Sequence, residues 1–192
     1  MDNHLHIISL DVPWPADYGG VIEIFYKLRA LHQQGIKIHL HCFTKSRNPQ
    51  KELAKYCVEV NYYTRKKNLA GFSFILPYIV NSRNNPELLI NLQKDNYPVL
   101  LEGIHCTYLL NSAQLNNRKV FIRLHNTEYL YYKNLAKHET NILKKIYFLH
   151  ESRLLKKYEQ AIANKTMIFA MSDIDVTQYK NDFAATQIQY LP

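Results

Sequence analysis

At 192 residues and 47% hydrophobic composition, the chain has the size and apolar content of one ordinary globular domain with a real core. Its longest apolar run, residues 71–80, contains Ser73 and Pro77 and falls short of the ~20 residues of a membrane helix; no basic segment followed by an apolar stretch marks a signal peptide. The net charge of +8 admits nucleic acid, an anionic membrane surface or an anionic substrate without choosing among them.

Taken in chain order, strands and helices alternate. Residues 5–10 read as a strand. Residues 21–34 read as a helix with apolar positions at Val21, Ile24, Phe25, Leu28 and Leu31, closed by Gly35. Residues 36–43 alternate apolar side chains with His and Lys, as a second strand does. A short helix opened by Pro49 is expected over 48–57, and a third strand over 58–63. Asn85 caps a helix over 86–94, with Pro86 in its first turn. Residues 99–102 form a short buried strand, 104–113 a helix and 119–124 a strand. A largely helical stretch with one break runs from 127 to about 164. Residues 166–170, 174–179 and 187–191 complete the pattern as strand, helix and strand.

This alternation predicts an α/β fold: a three-layer Rossmann-like domain with a parallel sheet of about seven strands, its first strand central, and helices on both faces. In such sheets ligands bind beyond the carboxyl ends of the strands, so residues 11–20, 44–47, 102–105, 125–129 and 171–173 are the places to look. The three cysteines, Cys42, Cys57 and Cys106, stand at unrelated spacings in or beside apolar segments. They read as buried free thiols of a cytoplasmic protein, and no metal site is expected. The ending QIQYLP reads as a cut at a domain edge, so residues 1–192 are expected to be one domain of a longer protein.

Gly19 and Gly20 stand after the first strand and at the mouth of the first helix. Glycine there either lets a ligand approach the backbone at a helix N-terminus or serves a turn that needs positive φ. The dinucleotide fingerprint G-x-G-x-x-G is missing, and the second strand ends in Cys42-Phe43-Thr44 without the acidic residue that would hold a ribose.

The same loop, VPWPADYGG, with the helix and strand after it, resembles the start of the bacterial retaining GT-B glycosyltransferases of family 4. Two later stretches fit that resemblance. VFIRLHNTEYLYYKNLA, residues 120–136, is similar to the strand and loop in which these enzymes place a histidine, here His125. IFAMSDIDVTQY, residues 168–179, is similar to their strand ending in Ser before an acidic helix start, and QYLP to the strand before their crossover. The resemblance departs at Ile36, where the family usually has His. It implies the acceptor-side half of an enzyme that moves a sugar from a nucleotide-sugar donor to a sugar or lipid-linked acceptor. The donor-binding C-terminal domain is absent from this chain, and neither cofactor nor metal is implied.

His125, flanked by Arg123 and Asn126, either donates to a sugar hydroxyl or the departing phosphate, as the resemblance implies for a catalytic group, or caps the next helix. With Gly19 and Gly20, Arg123 is the candidate for donor phosphate or sugar binding; ion pairing is its other reading. Asp17, Tyr18, Glu102, His105, Asn126, Glu128 and Ser172 are the candidate acceptor-binding residues. All but Tyr18 have a plainer reading: turn chemistry for Asp17, a capped turn for Glu102 and His105, capping for Asn126 and Ser172, and the helix dipole for Glu128.

Residues 65–84 are basic at both ends and apolar between. They read either as a buried helix of the second layer or as a segment touching anionic lipid at the inner membrane face. The helix expected over 141–165 carries an apolar stripe at Leu143, Ile146, Tyr147, Leu154, Tyr158 and Ile162, with lysines opposite. Two functions compete with glycosyl transfer: a sugar-nucleotide epimerase of the same architecture, and a basic nucleic-acid-binding module using some of the 15 tyrosines. The tyrosines fall at core-like spacing, so no nucleic-acid partner is expected.

Overall fold

The computed structural model describes residues 3–111, 115 and 117–192. Within them seven strands form one all-parallel sheet: β1 (His4–Ser9), β2 (Lys37–Thr44), β3 (Glu59–Thr64), β4 (Val99–Glu102), β5 (Val120–Leu124), β6 (Met167–Ala170) and β7 (Ile188–Tyr190), in the order β3-β2-β1-β4-β5-β6-β7. The helices are α1 (Gly19–Gln33), α2 (Tyr78–Asn81), α3 (Pro86–Leu92), α4 (Glu128–His138), α5 (Ile142–Ile162) and α6 (Asp173–Phe183). The first strand is interior, paired with β2 on one side and β4 on the other. The strand order reverses there, which opens a crevice at the carboxyl ends of β1 and β4.

Side chains alternate across the sheet and build two cores. On one face Ile7, Ile38, Leu40 and Cys42 meet Phe25 and Leu28 of α1. On the other, Val99, Leu101, Ile122, Leu124 and Ile168 meet Leu88, Leu92, Leu155, Tyr158, Ile162 and Tyr179 from α3, α5 and α6. The α1 layer stops short. Beyond it Leu100, Phe121 and Phe169 line an open groove of about 360 Å³ on the sheet face. Cys42, Cys57 and Cys106 are buried and unpaired.

Several elements differ from the sequence reading. The helix expected over 48–57 is a 3₁₀ turn, Lys51–Lys55, and the one expected over 104–113 is a 3₁₀ helix, Ile104–Asn111; Ala113 lies outside the described residues. Residues 65–84 form no single helix. A 3₁₀ turn, Asn68–Gly71, and the four-residue α2 are joined by a bend over 74–76, where Ser73 Oγ accepts from Ile75 N and Leu76 N at 3.1 Å each, and Pro77 stands immediately before α2. The break in the long helical region falls at 139–141, where the Asn141 side chain accepts from Lys144 N and restarts the helix as α5. Only the C-terminal half of the apolar stripe on α5 is buried: Leu154, Tyr158 and Ile162 are inside, whereas Leu143 and Ile146 are exposed.

The N-terminus of α4 is capped from a distance. Glu159, fully buried on α5, accepts from Glu128 N at 2.9 Å and Tyr129 N at 3.1 Å, and Tyr179 Oη donates to it at 2.9 Å. Burial pushes the Glu159 carboxyl up to about 8.

Candidate functional site

At the carboxyl edge, β4 ends in Glu102 and β5 runs through Arg123 into His125. These three side chains point to the α1 face of the sheet, because their neighbours Leu101, Ile122 and Leu124 fill the opposite core. There they meet one flank of α1. Glu102 is fully buried; Lys27 Nζ lies 2.6 Å from its Oε1 and His125 Nε2 lies 3.0 Å from its Oε2. Burial works against ionisation of Glu102, but the hydrogen bond from His125 and the charge of Lys27 outweigh it and hold the carboxyl below its ordinary value. Glu23, one helical turn before Lys27, pairs with Lys27 at 2.9 Å and with Arg123 Nε at 3.2 Å. Its Oε2 stands 3.5 Å from His125 Nε2 and makes no hydrogen bond.

A carboxylate only accepts, so Nε2 of His125 carries the proton shared with Glu102. Among the described residues no hydrogen bond engages Nδ1. The ring is therefore oriented by a buried carboxylate with its second nitrogen free to meet a ligand atom. Capping is not what His125 does: Thr127 holds the N-cap position of α4, and its backbone and hydroxyl bond Asp175 Oδ1 at 2.9 and 2.7 Å. Glu23, Glu102 and His125 lie close enough together to ligate a cation. Lys27 and Arg123 already supply the positive charge that those carboxylates need.

Gly19 and Gly20 are the first two residues of α1 rather than a turn before it. Their φ angles are negative, so the positive-φ explanation fails; among the described glycines it applies to Gly35 and Gly103. A Cβ on Gly19 would meet nothing within 4 Å, and one on Gly20 would meet only the Tyr18 ring at 3.5 Å. The first turn of α1 has no acidic residue and no side-chain cap. The glycines thus leave the N-terminus of α1 bare, with open space beside Gly19, one helical turn before Glu23.

The remaining predicted residues divide. Arg123 is buried, ion-paired with Glu23 and donating to the Leu191 carbonyl, so its charge is engaged within the protein rather than held out for a phosphate. Ser172 caps α6, its Oγ accepting from Asp175 N at 3.1 Å. Asp17 pairs with Arg47, whose guanidinium lies 5.0 Å from the Tyr18 ring, and Tyr18 Oη donates to Asp11 Oδ2 at 3.1 Å. Asn126 is exposed. His105 follows Gly103, whose φ of 77° turns the chain after β4; among the described residues its Nδ1 has no partner, and burial holds its pKa well below the ordinary value.

Glu128 stands in the first turn of α4, as expected, but is buried, and burial pushes its carboxyl up to about 7. A raised pKa means that the folded state holds the proton more tightly than the unfolded chain. The stability it contributes is complete below the ordinary carboxyl range and is lost as pH rises through about 7. Urea unfolding at pH 5 and pH 8 checks this: Glu128→Gln is expected to lose less stability than the wild type between the two. An equal loss would show that Glu128 titrates normally.

Sequence reasoning missed Glu23, Lys27 and Arg83. The first two are an i,i+4 acid–base pair beside the apolar stripe of α1, a signal that periodicity alone treats as surface. Arg83 is buried and donates to the Leu10 carbonyl from Nε at 3.1 Å and Nη2 at 2.9 Å, and to the Ile79 carbonyl at 2.7 Å, tying α2 to the exit of β1.

No family model matches the chain. A protein of Klebsiella pneumoniae named "Uncharacterized 44.6 kDa protein in cps region" is 30% identical over 169 residues, which is 83% of this chain and 42% of that protein. The chain therefore spans less than half the length of this relative.

Proposed function

We propose that this chain is the acceptor-side half of a glycosyltransferase of surface-glycan synthesis. The observation that carries the reading is His125, oriented by buried Glu102 at the carboxyl edge of the sheet, the edge from which β1 leads to the bare glycine N-terminus of α1. The relative's place in a cps region, read as capsular polysaccharide, supports the same setting. In the reaction the bond between the donor sugar's anomeric carbon and the phosphate oxygen breaks and nucleoside diphosphate leaves. The acceptor hydroxyl oxygen bonds to that carbon and gives its proton to the departing phosphate, with retention of configuration as the sequence resemblance implies. The N-terminus of α1 favours the charge that develops on the phosphate. His125 Nδ1 contacts the sugar or its phosphate, and Glu102 holds the imidazole in place through Nε2. Nucleotide-sugar binding rests mainly on a further domain.

Acceptor-dependent release of nucleoside diphosphate by the full-length protein tests this, across a panel of nucleotide-sugars with lipid-linked and free sugar acceptors. Residues 1–192 expressed alone are expected to give no turnover. Release by the full-length protein supports the reading; no release with any donor and acceptor, or equal release by residues 1–192 alone, contradicts it.

Gly19→Ala separates the site from the fold. The added methyl has open space, and alanine in a helix is worth roughly 0.4–1 kcal/mol over glycine. The melting temperature is expected to hold or rise, while the donor KM rises because the methyl blocks close approach to the backbone. A stabilised variant with unchanged KM would remove the glycine pair from the site.

A further inference from the structure

A second surface is built from two stretches that the reaction site does not use. Leu69 is 87% exposed, Phe74 79% and Ile75 83%. On the first turns of α5, Ile142 is 73%, Leu143 79% and Ile146 59% exposed. The two stretches are joined. Tyr78 N donates to Glu151 Oε2 at 2.8 Å, and Phe72 lies against both Phe74, at 4.9 Å between ring centroids, and His150, at 6.5 Å. Leu143, Ile146 and His150 follow one another along one side of α5 at helical spacing. Bulky apolar side chains left this bare over a continuous patch mark a docking surface.

Its rim is cationic. Lys45, Arg65, Lys66 and Lys67, which follow the carboxyl ends of β2 and β3, line a pocket of about 110 Å³ with Asn68 and Tyr78, and no acidic residue lines it. Lys144 and Lys145 stand exposed within the apolar turns of α5. Among the described residues none of these five lysines makes an ion pair.

We infer that this face docks on an anionic membrane surface, with the apolar side chains of 69–75 and of the start of α5 entering the headgroup boundary and the lysines meeting lipid phosphates. Charge selects this occupant. A second copy of the chain would bring the same lysines face to face, whereas anionic lipid complements them. No helix of the described residues is long and apolar enough to cross a membrane, which fits a segment that lies on the interface rather than through it. The pocket opens at the carboxyl edge of the sheet, the edge that also carries His125. The inference goes beyond the proposed reaction and does not depend on it, since membrane binding is read without turnover.

The test is co-sedimentation of the protein with vesicles of phosphatidylcholine containing phosphatidylglycerol, against phosphatidylcholine alone, at two salt concentrations. The expected result is binding to the anionic vesicles that weakens as salt rises. The combined variant Leu69→Ser, Phe74→Ser, Ile75→Ser is expected to lower the partition coefficient by about tenfold or more. Lys66→Gln and Lys67→Gln are each expected to lower it about fivefold. All are exposed or edge positions, so an unchanged melting temperature accompanies these losses. Absent binding, equal binding by the serine variant, or a concentration-dependent dimer abolished by the same substitutions would overturn the inference.

Discussion

Replacing His125 by alanine in the full-length protein is expected to lower turnover by about 100-fold, the loss typical of a positioned donor or acid–base group. Substrate affinity is expected to move less. Stability is expected to change modestly, because the ring's described polar contacts are to Glu102 and Glu23, and Lys27 remains within 2.6 Å of Glu102 to balance its charge. Turnover and melting temperature measured on the same variant check the assignment. A lowered melting temperature with unchanged turnover would make His125 a structural residue.

The largest stability effect is expected at Glu159. Removing its carboxyl group in Glu159→Ala leaves three donors without an acceptor: Glu128 N, Tyr129 N and the Tyr179 hydroxyl. All three residues are buried. At about 1–3 kcal/mol for each buried unsatisfied group, with partial relief by entering water, a loss of roughly 3 kcal/mol or more is expected. Glu159→Gln keeps one accepting oxygen and is expected to fall between the two. The carboxyl is pushed up to about 8, so near neutral pH it already holds a proton, and the glutamine approximates that form. Equilibrium urea unfolding reads all three proteins. An alanine variant as stable as the wild type would show that α4 needs no cap from α5.

Most of the fold was legible because its strands are short aliphatic runs punctuated by Gly, Pro and Asn, and parallel βα alternation leaves few topologies. β4 was legible to the residue, since Val99–Glu102 is bounded by Pro98 and Gly103. Elements held by tertiary contacts were not. Residues 51–55 and 104–111 tighten into 3₁₀ turns, and residues 65–84 are held in place by Arg83 and Glu151 rather than by their own periodicity. The apolar stripe of α5 was visible, but a stripe does not say what covers it, and its first turns stay bare.

The site was half legible. His125 and Glu102 stand out separately in the sequence because each lies at the carboxyl end of a strand, yet their hydrogen bond depends on the β4–β5 register, in which Glu102 pairs with Arg123. Their partners Glu23 and Lys27 sit on a helix face that reads as surface in sequence. A second network escaped notice for the same reason. His6 Nδ1 and His41 Nε2 lie 2.8 Å apart across β1 and β2, and His41 Nδ1 is 2.8 Å from Tyr63 Oη. Burial, chiefly, pushes the His41 pKa down to about 3. Alternating histidines on two strands become a network only when parallel pairing sets them side by side.

In the proposed reaction Glu102 acts through His125, and a double-mutant cycle on the turnover of the full-length protein tests that most directly. Glu102→Gln alone is expected to lower turnover by disorienting the imidazole. Glu102→Gln combined with His125→Ala is expected to be no slower than His125→Ala alone, because the carboxylate has nothing left to orient. Losses that multiply in the double variant would contradict the account, since Glu102 and His125 would then act independently.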